Sequence, residues 1–170
     1  MKIFIEEQKF TQIWLFLGLT IAFVVVTTPI IKDWDTISQG SFGEILSNIG
    51  GILFLLFVFA LFNFLKLKTR IDEKGVYYQY LPFHFTYRFL PWNSIAKCSV
   101  RNYNAIFEYG GWGLKFSFTK KRGKSFTVKG AIGLQLELRN GKKILIGTQK
   151  KEEIQRTIET YQDKIGTMNS

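Results

Sequence analysis

Two runs near the start of this chain, Ile13 to Ile31 and Ile49 to Leu65, contain no Asp, Glu, Lys, Arg or His. Nineteen helical residues rise about 28 Å, close to the thickness of a bilayer's hydrocarbon core, and a helix satisfies its own backbone N–H and C=O groups there. The second run has Asn63 as its one polar exception and extends backwards through Ile45 and Leu46 to a comfortable span. Pro29 lies near the far end of the first run, where few downstream N–H bonds are lost. Trp14 and Trp34 flank that run at the two depths that indole rings favour. Residues 1–66 are therefore expected to form a transmembrane hairpin, with helices over about 10–31 and 45–66. The competing readings are a helix buried in a soluble core and a cleaved leader, although no small-x-small cleavage site follows the first run.

Positive charge orients the hairpin. Lys2, Lys9, Lys66, Lys68, Arg70 and Lys74 flank one side, and Lys32 alone flanks the other, beside Asp33, Asp35 and Glu44. The positive-inside bias then predicts a multi-pass protein of a bacterial inner (plasma) membrane, or an equivalent one, with both termini cytoplasmic. Net charge is divided to match. Residues 66–170 carry 20 Lys or Arg against 8 Asp or Glu, whereas the first 65 carry 3 against 5, for a total of +10. A cationic body beside an anionic leaflet gains about 1 kcal/mol per basic group near the surface. The expected partners are the lipid bilayer, anionic lipid headgroups, and a membrane or cytoplasmic protein, a second copy of the chain included. Nucleic acid suits the charge, but no motif for it is visible and many aromatic residues fall at core positions.

After the second run the period changes to two. Trp112, Leu114, Phe116 and Phe118 alternate with Gly113, Lys115, Ser117 and Thr119, and Leu134, Leu136 and Leu138 alternate with Gln135, Glu137 and Arg139. Further strands are expected over Lys68–Asp72, Val76–Leu81, Phe85–Leu90, Ile95–Asn102 and Phe126–Lys129. Asn140-Gly141, between Leu138 and Ile144, predicts a two-residue hairpin connection with positive φ at both positions. Ile154, Ile158, Tyr161 and Ile165 then form one stripe of a helix over 150–165, with Thr148 as its N-cap and Glu152 and Glu153 in its first turn.

This order of elements resembles bacterial membrane proteins that carry a pleckstrin-homology-like (PH-like) domain, many of them uncharacterised. The resemblance spans Leu67 to Ile165 and lies in Leu90-Pro91-Trp92-Asn93-Ser94-Ile95, Tyr109-Gly110-Gly111-Trp112-Gly113-Leu114 and Ile146-Gly147-Thr148. It implies an α+β chain: the helical hairpin followed, over 67–166, by a seven-stranded antiparallel β-barrel or roll with a C-terminal α-helix. In eukaryotic relatives it implies phosphoinositide binding at the first hairpin. Here that turn is Asp72-Glu73-Lys74-Gly75, short and acidic, so the role does not carry over.

No catalytic, cofactor-binding or metal-binding set is expected. His84 is the one histidine and falls on the polar face of an expected strand, beside Thr86 and Arg88. Cys98, the single cysteine, alternates with Ala96 and Val100 as a small core residue, so it offers no internal disulfide. Gly110, Gly111 and Gly113 lack the Lys and Ser or Thr of a phosphate loop, and favour a bulge or tight turn that lets Trp112 pack. The small-residue pair Ser47 and Gly51, with Asn63, could serve helix contacts. Lys120, Lys121, Arg122 and Lys124 form the densest charge cluster, and with Lys115 and Lys129 they make a candidate contact for an anionic surface.

The expectation is a non-enzymatic binding or assembly module at the inner membrane surface, its contact surface a sheet edge or the groove between sheet and helix. One alternative is an accessory subunit of a transport or secretion complex. The other is a lipid-surface enzyme, which would gather Glu108, Glu137 and His84 in one pocket.

Overall fold

The computed structural model describes residues 2–116 and 123–165. It is an α+β chain with two long apolar helices near its start, and it divides into two units. Residues 11–64 form a helical unit, and residues 1–10 and 65–170 belong to a β-rich unit.

In the helical unit, α1 (Ile13–Lys32) and α3 (Phe42–Phe64) are joined through a short α2 (Trp34–Ser38). Phe16 meets Phe59 edge-on at 5.6 Å and Gly51 lies beside Val26, so the two long helices run antiparallel. Helix α3 opens on a capping box. The Ser41 N–H donates to Glu44 Oε2 at 3.0 Å and the Glu44 N–H donates to Ser41 Oγ at 3.4 Å. The start therefore falls at Phe42, ahead of the apolar run that locates the helix in the sequence. Polar side chains bond within their own helices: Thr20 to the Phe16 carbonyl, Thr27 to Phe23, Asn48 to Glu44 and Asn63 to Phe59. Ile30 is the only buried residue of α1, and α3 has none. A core helix of a soluble protein buries its apolar face. Each of these two is half-buried only along the stripe that meets the other and is exposed elsewhere, and both are long and apolar enough to cross a membrane.

The β-rich unit contains nine strands in two sheets among the described residues. The first sheet is antiparallel, in the order β1 (Phe4–Lys9), β2 (Lys66–Asp72), β3 (Gly75–Leu81), β4 (Arg88–Pro91). The second has the order β5 (Ile95–Asn102), β8 (Ile132–Leu138), β9 (Lys143–Gly147), β7 (Lys124–Thr127), β6 (Gly113–Phe116). A short helix α4 (Ala105–Tyr109) follows β5, and α5 (Lys151–Thr160) follows β9 and packs on β5, β8 and β1.

Three features depart from the expected seven-stranded antiparallel barrel or roll. First, residues 4–9, which the sequence reading assigned to the hairpin segment 1–66, form a sheet strand paired with β2 from Phe4↔Ile71 to Lys9↔Lys66. Second, β7 pairs parallel to β9, because the β8–β9 hairpin inserts β9 between β8 and β7. Third, no closed barrel forms among the described residues. The chain leaves the first sheet at Pro91, which has no N–H to extend a ladder, and a 3-10 turn over Trp92–Ser94 starts the second sheet.

Several boundaries also shift. The strand expected over Phe85–Leu90 begins at Arg88, which leaves Phe85 to Tyr87 in the loop, and the strand expected at Phe126 begins at Lys124. The turn at Asn140-Gly141 sits where the sequence put it, but only Gly141 has positive φ, at 79°. The Gly141 N–H donates to Leu138 O and the Leu138 N–H donates to Lys142 O. This is a three-residue loop, a type I turn closed by a left-handed glycine.

The core lies between the sheets and under α5. Phe4, Leu67, Ile71, Val76, Ile95, Leu134, Leu136, Ile146 and Ile154 are buried, and Trp92 fills the gap where the chain changes sheet, its Nε1–H donating to Asp72 O at 3.0 Å. The helix expected over 150–165 ends at Thr160 and passes into a 3-10 turn over Gln162–Lys164, so of the expected stripe Ile154 and Ile158 are buried on α5, while Tyr161, buried, caps it and Ile165, half-buried, lies beyond the turn. The N-cap is Lys150 rather than Thr148, whose hydroxyl lies two residues earlier and accepts from the Lys150 N–H at 3.1 Å. The buried carboxylate of Glu6 on β1 in turn accepts from Thr148 Oγ1 at 2.6 Å and from the Gln149 N–H at 2.8 Å. The strand before the first apolar helix thus holds the start of the last helix.

Candidate functional site

The β3–β4 connection folds back on the end of its sheet. The His84 N–H donates to Tyr80 O at 2.8 Å, and the Tyr80 N–H donates to His84 Nδ1 at 3.3 Å. The Gln79 side-chain amide donates to the carbonyls of His84 and Phe85. These bonds fix the loop so that the His84 ring lies 5.3 Å from the Phe126 ring and 5.8 Å from the Tyr78 ring. Opposite stands the β6–β7 hairpin, where Lys115 pairs with Ser125 and Phe116 with Lys124.

Between loop and hairpin opens a cleft of about 760 Å³. Tyr78, Tyr80, Phe83, Phe126 and Trp112 give it an aromatic floor and walls, and Arg88, Lys115 and Lys124 supply its charge. No Asp or Glu is among the described residues that line it. Leu65, the residue that follows the last turn of α3, is also in its wall. The loop beside it exposes Phe83 and Tyr87, with Phe85 88% exposed.

The electrostatics follow from that lining. Desolvation, and then the positive charges of Arg88 and Lys124, hold the His84 imidazole below the ordinary histidine range. Desolvation pushes the Tyr80 and Tyr78 phenols up, with Arg88 partly opposing it at Tyr78. The hydroxyls therefore stay protonated as donors, and Tyr80 Oη donates to Thr127 O at 3.3 Å. The cleft thus combines neutral phenol and imidazole groups with the cationic side chains of Arg88, Lys115 and Lys124.

Of the cations singled out from the sequence, Lys115 and Lys124 come to this cleft, and Lys129 lies beyond the other end of β7, outside its lining. Lys120, Lys121 and Arg122 lie outside the described residues. Arg88, at the start of β4, was missed as a site residue, although its place near His84 in a segment dense in aromatics was visible in the sequence. His84 is a half-buried loop residue rather than a solvated strand residue. It does not meet the two glutamates that a lipid-surface enzyme would need beside it. Glu108 forms a 2.8 Å ion pair with Arg101, and Glu137 a 3.0 Å pair with Lys143.

The glycines before β6 do act as a turn. Gly110 closes α4 in the left-handed conformation, and the Trp112 Nε1–H donates to Gly130 O at 2.8 Å. A second, smaller groove of about 430 Å³ runs between β5 and α5, lined by Ala96, Lys97, Cys98, Val100, Ile158 and Ile165. Cys98, expected in the core, is half-buried in this groove with Ala96 exposed beside it, and desolvation pushes its thiol up to about 12. Among the described residues, strand β5 is an edge of its sheet, paired only with β8.

No protein-family model, curated protein or solved structure matches this chain.

Proposed function

We propose that this chain is a membrane-anchored, non-enzymatic binding module of the inner membrane, with a PH-like body on the cytoplasmic side. One observation carries the anchoring. Lys9, just before the first apolar helix, and Lys66, just after the second, are partners on one rung of the β1–β2 ladder. A hairpin whose two ends are paired in one sheet enters and leaves a bilayer on the same side. The cations Lys9, Lys66 and Lys68 gather at that end around Glu7, where a positive-inside boundary needs them. Two packed sheets followed by an α-helix support the PH-like reading, with β1 and the parallel β7–β9 pair as departures from it.

The body acts by binding a protein partner along β5. An eight-residue edge strand beside a helix offers main-chain hydrogen bonds to an extended segment, and the groove under α5 offers space for its apolar side chains. The test is photo-crosslinking in native membranes from position 97 on β5 and, as a control, from position 142 on the β8–β9 turn. Both positions are exposed. The expected result is a discrete protein adduct from position 97 alone. Equal adducts from both positions, or none from position 97, would remove β5 as the contact surface.

A further inference from the structure

We propose that the cleft between the β3–β4 loop and the β6–β7 hairpin binds the phosphate group of an anionic lipid headgroup. The inference rests on the membrane-anchored reading above. Its chemistry comes from the lining: among the described residues, three cations from three different elements, Arg88 on β4, Lys115 on β6 and Lys124 on β7, and no carboxylate. Converging guanidinium and ammonium groups against aromatic walls favour a phosphate, which accepts several charge-assisted hydrogen bonds at once.

The choice of a lipid as the source comes from position. Leu65 stands in the cleft wall and directly follows Phe64, the last residue of α3. Leu81, at the end of β3, pairs with Lys66, so the aromatic loop after it springs from the same end of the sheet. Phe83, Phe85 and Tyr87 are exposed there, and an exposed aromatic cluster next to a basic cleft suits the headgroup region, where rings bury and cations meet phosphates. A soluble phosphate ligand would need the cations but gain nothing from that rim. The cleft is distinct from the first hairpin, whose Asp72-Glu73-Lys74-Gly75 turn lies at the opposite end of β2 and β3.

The test uses the full chain in nanodiscs of phosphatidylcholine with a minor fraction of phosphatidylglycerol, read by the lipid composition retained around the protein after exchange into detergent. The expected result is at least tenfold enrichment of phosphatidylglycerol over its bulk fraction, lost in the double variant Arg88→Gln/Lys124→Gln. It is kept in Lys142→Gln/Arg156→Gln, which removes the same charge from exposed sites outside the cleft. A second arm adds inorganic phosphate at millimolar concentration to the detergent-solubilised protein. Displacement by phosphate with no preference between the two lipids would assign the cleft to a soluble phosphate and overturn the lipid proposal. Equal loss in both double variants would reduce the effect to net charge and overturn it too. Failure of the anchoring reading is separable, because then the unmodified chain would not co-purify with the discs at all.

Discussion

Replacing Phe4 by Ala is expected to destabilise the β-rich unit by about 3–5 kcal/mol, the usual cost of emptying a buried phenylalanine site. Phe4 is fully buried, yet it belongs to the segment ahead of the first apolar helix. Its strand joins β2 through six register pairs, from Phe4↔Ile71 to Lys9↔Lys66. Further bonds tie the strand to the far end of the chain: Gln8 Nε2 donates to Gly147 O at 2.7 Å, and Tyr161 Oη donates to Lys2 O. A domain holding about 5–15 kcal/mol in total does not absorb such a loss easily. Thermal unfolding in detergent should show a melting temperature lower by about 10 °C or more. Ile5→Ala on the exposed face of the same strand should leave it within about 0.5 kcal/mol. If both variants melt like the parent, the N-terminal strand does not belong to the folded unit.

The second large effect falls on Gly75, at the β2–β3 turn. Its φ is 155°, and an added Cβ would meet Leu90 O at 2.2 Å and Pro91 Cα at 2.9 Å, both backbone atoms of β4. Backbone cannot step aside as a flexible side chain does. Conformational strain of about 1–3 kcal/mol adds to an overpacking cost of similar size, so Gly75→Ala should lose about 3–5 kcal/mol. Gly141 separates the two contributions. Its φ is 79° and nothing lies within 4 Å of its Cβ position, so Gly141→Ala should cost only the left-handed strain of about 1–2 kcal/mol. Chemical denaturation of the two variants side by side checks the difference. Equal losses would mean that β4 does not approach β3 this closely.

The elements that rest on local pattern were legible in the sequence. The apolar runs located α1 and α3, and the Ile154, Ile158, Tyr161 spacing located α5. The capping box at Ser41 and Glu44 was also there to be read, and would have set the start of α3. Strand β1 was hidden for a physical reason. Its buried face is Phe4, Glu6 and Gln8, two of three polar, and alternation reads such a face as solvent. Only partners on the last turn before α5, Thr148 and Gln149, make burial of Glu6 tolerable. The parallel β7–β9 pair is equally non-local, since it depends on where the β8–β9 hairpin docks. At the cleft, Lys115 and Lys124 were visible as charges, but their meeting with Arg88 requires the turn-back of the β3–β4 loop onto Tyr80.

The account rests on the two apolar helices crossing a bilayer as a pair whose ends return to one sheet. Single-cysteine variants at Lys2, Gln39 and Asn140 in a Cys98→Ala background test it most directly, because all three positions are exposed. With a membrane-impermeant maleimide applied to intact cells, the expected result is labelling at position 39 alone, with positions 2 and 140 labelled only after permeabilisation. Labelling of positions 2 and 140 from opposite sides, or of position 39 from the same side as position 140, would contradict it.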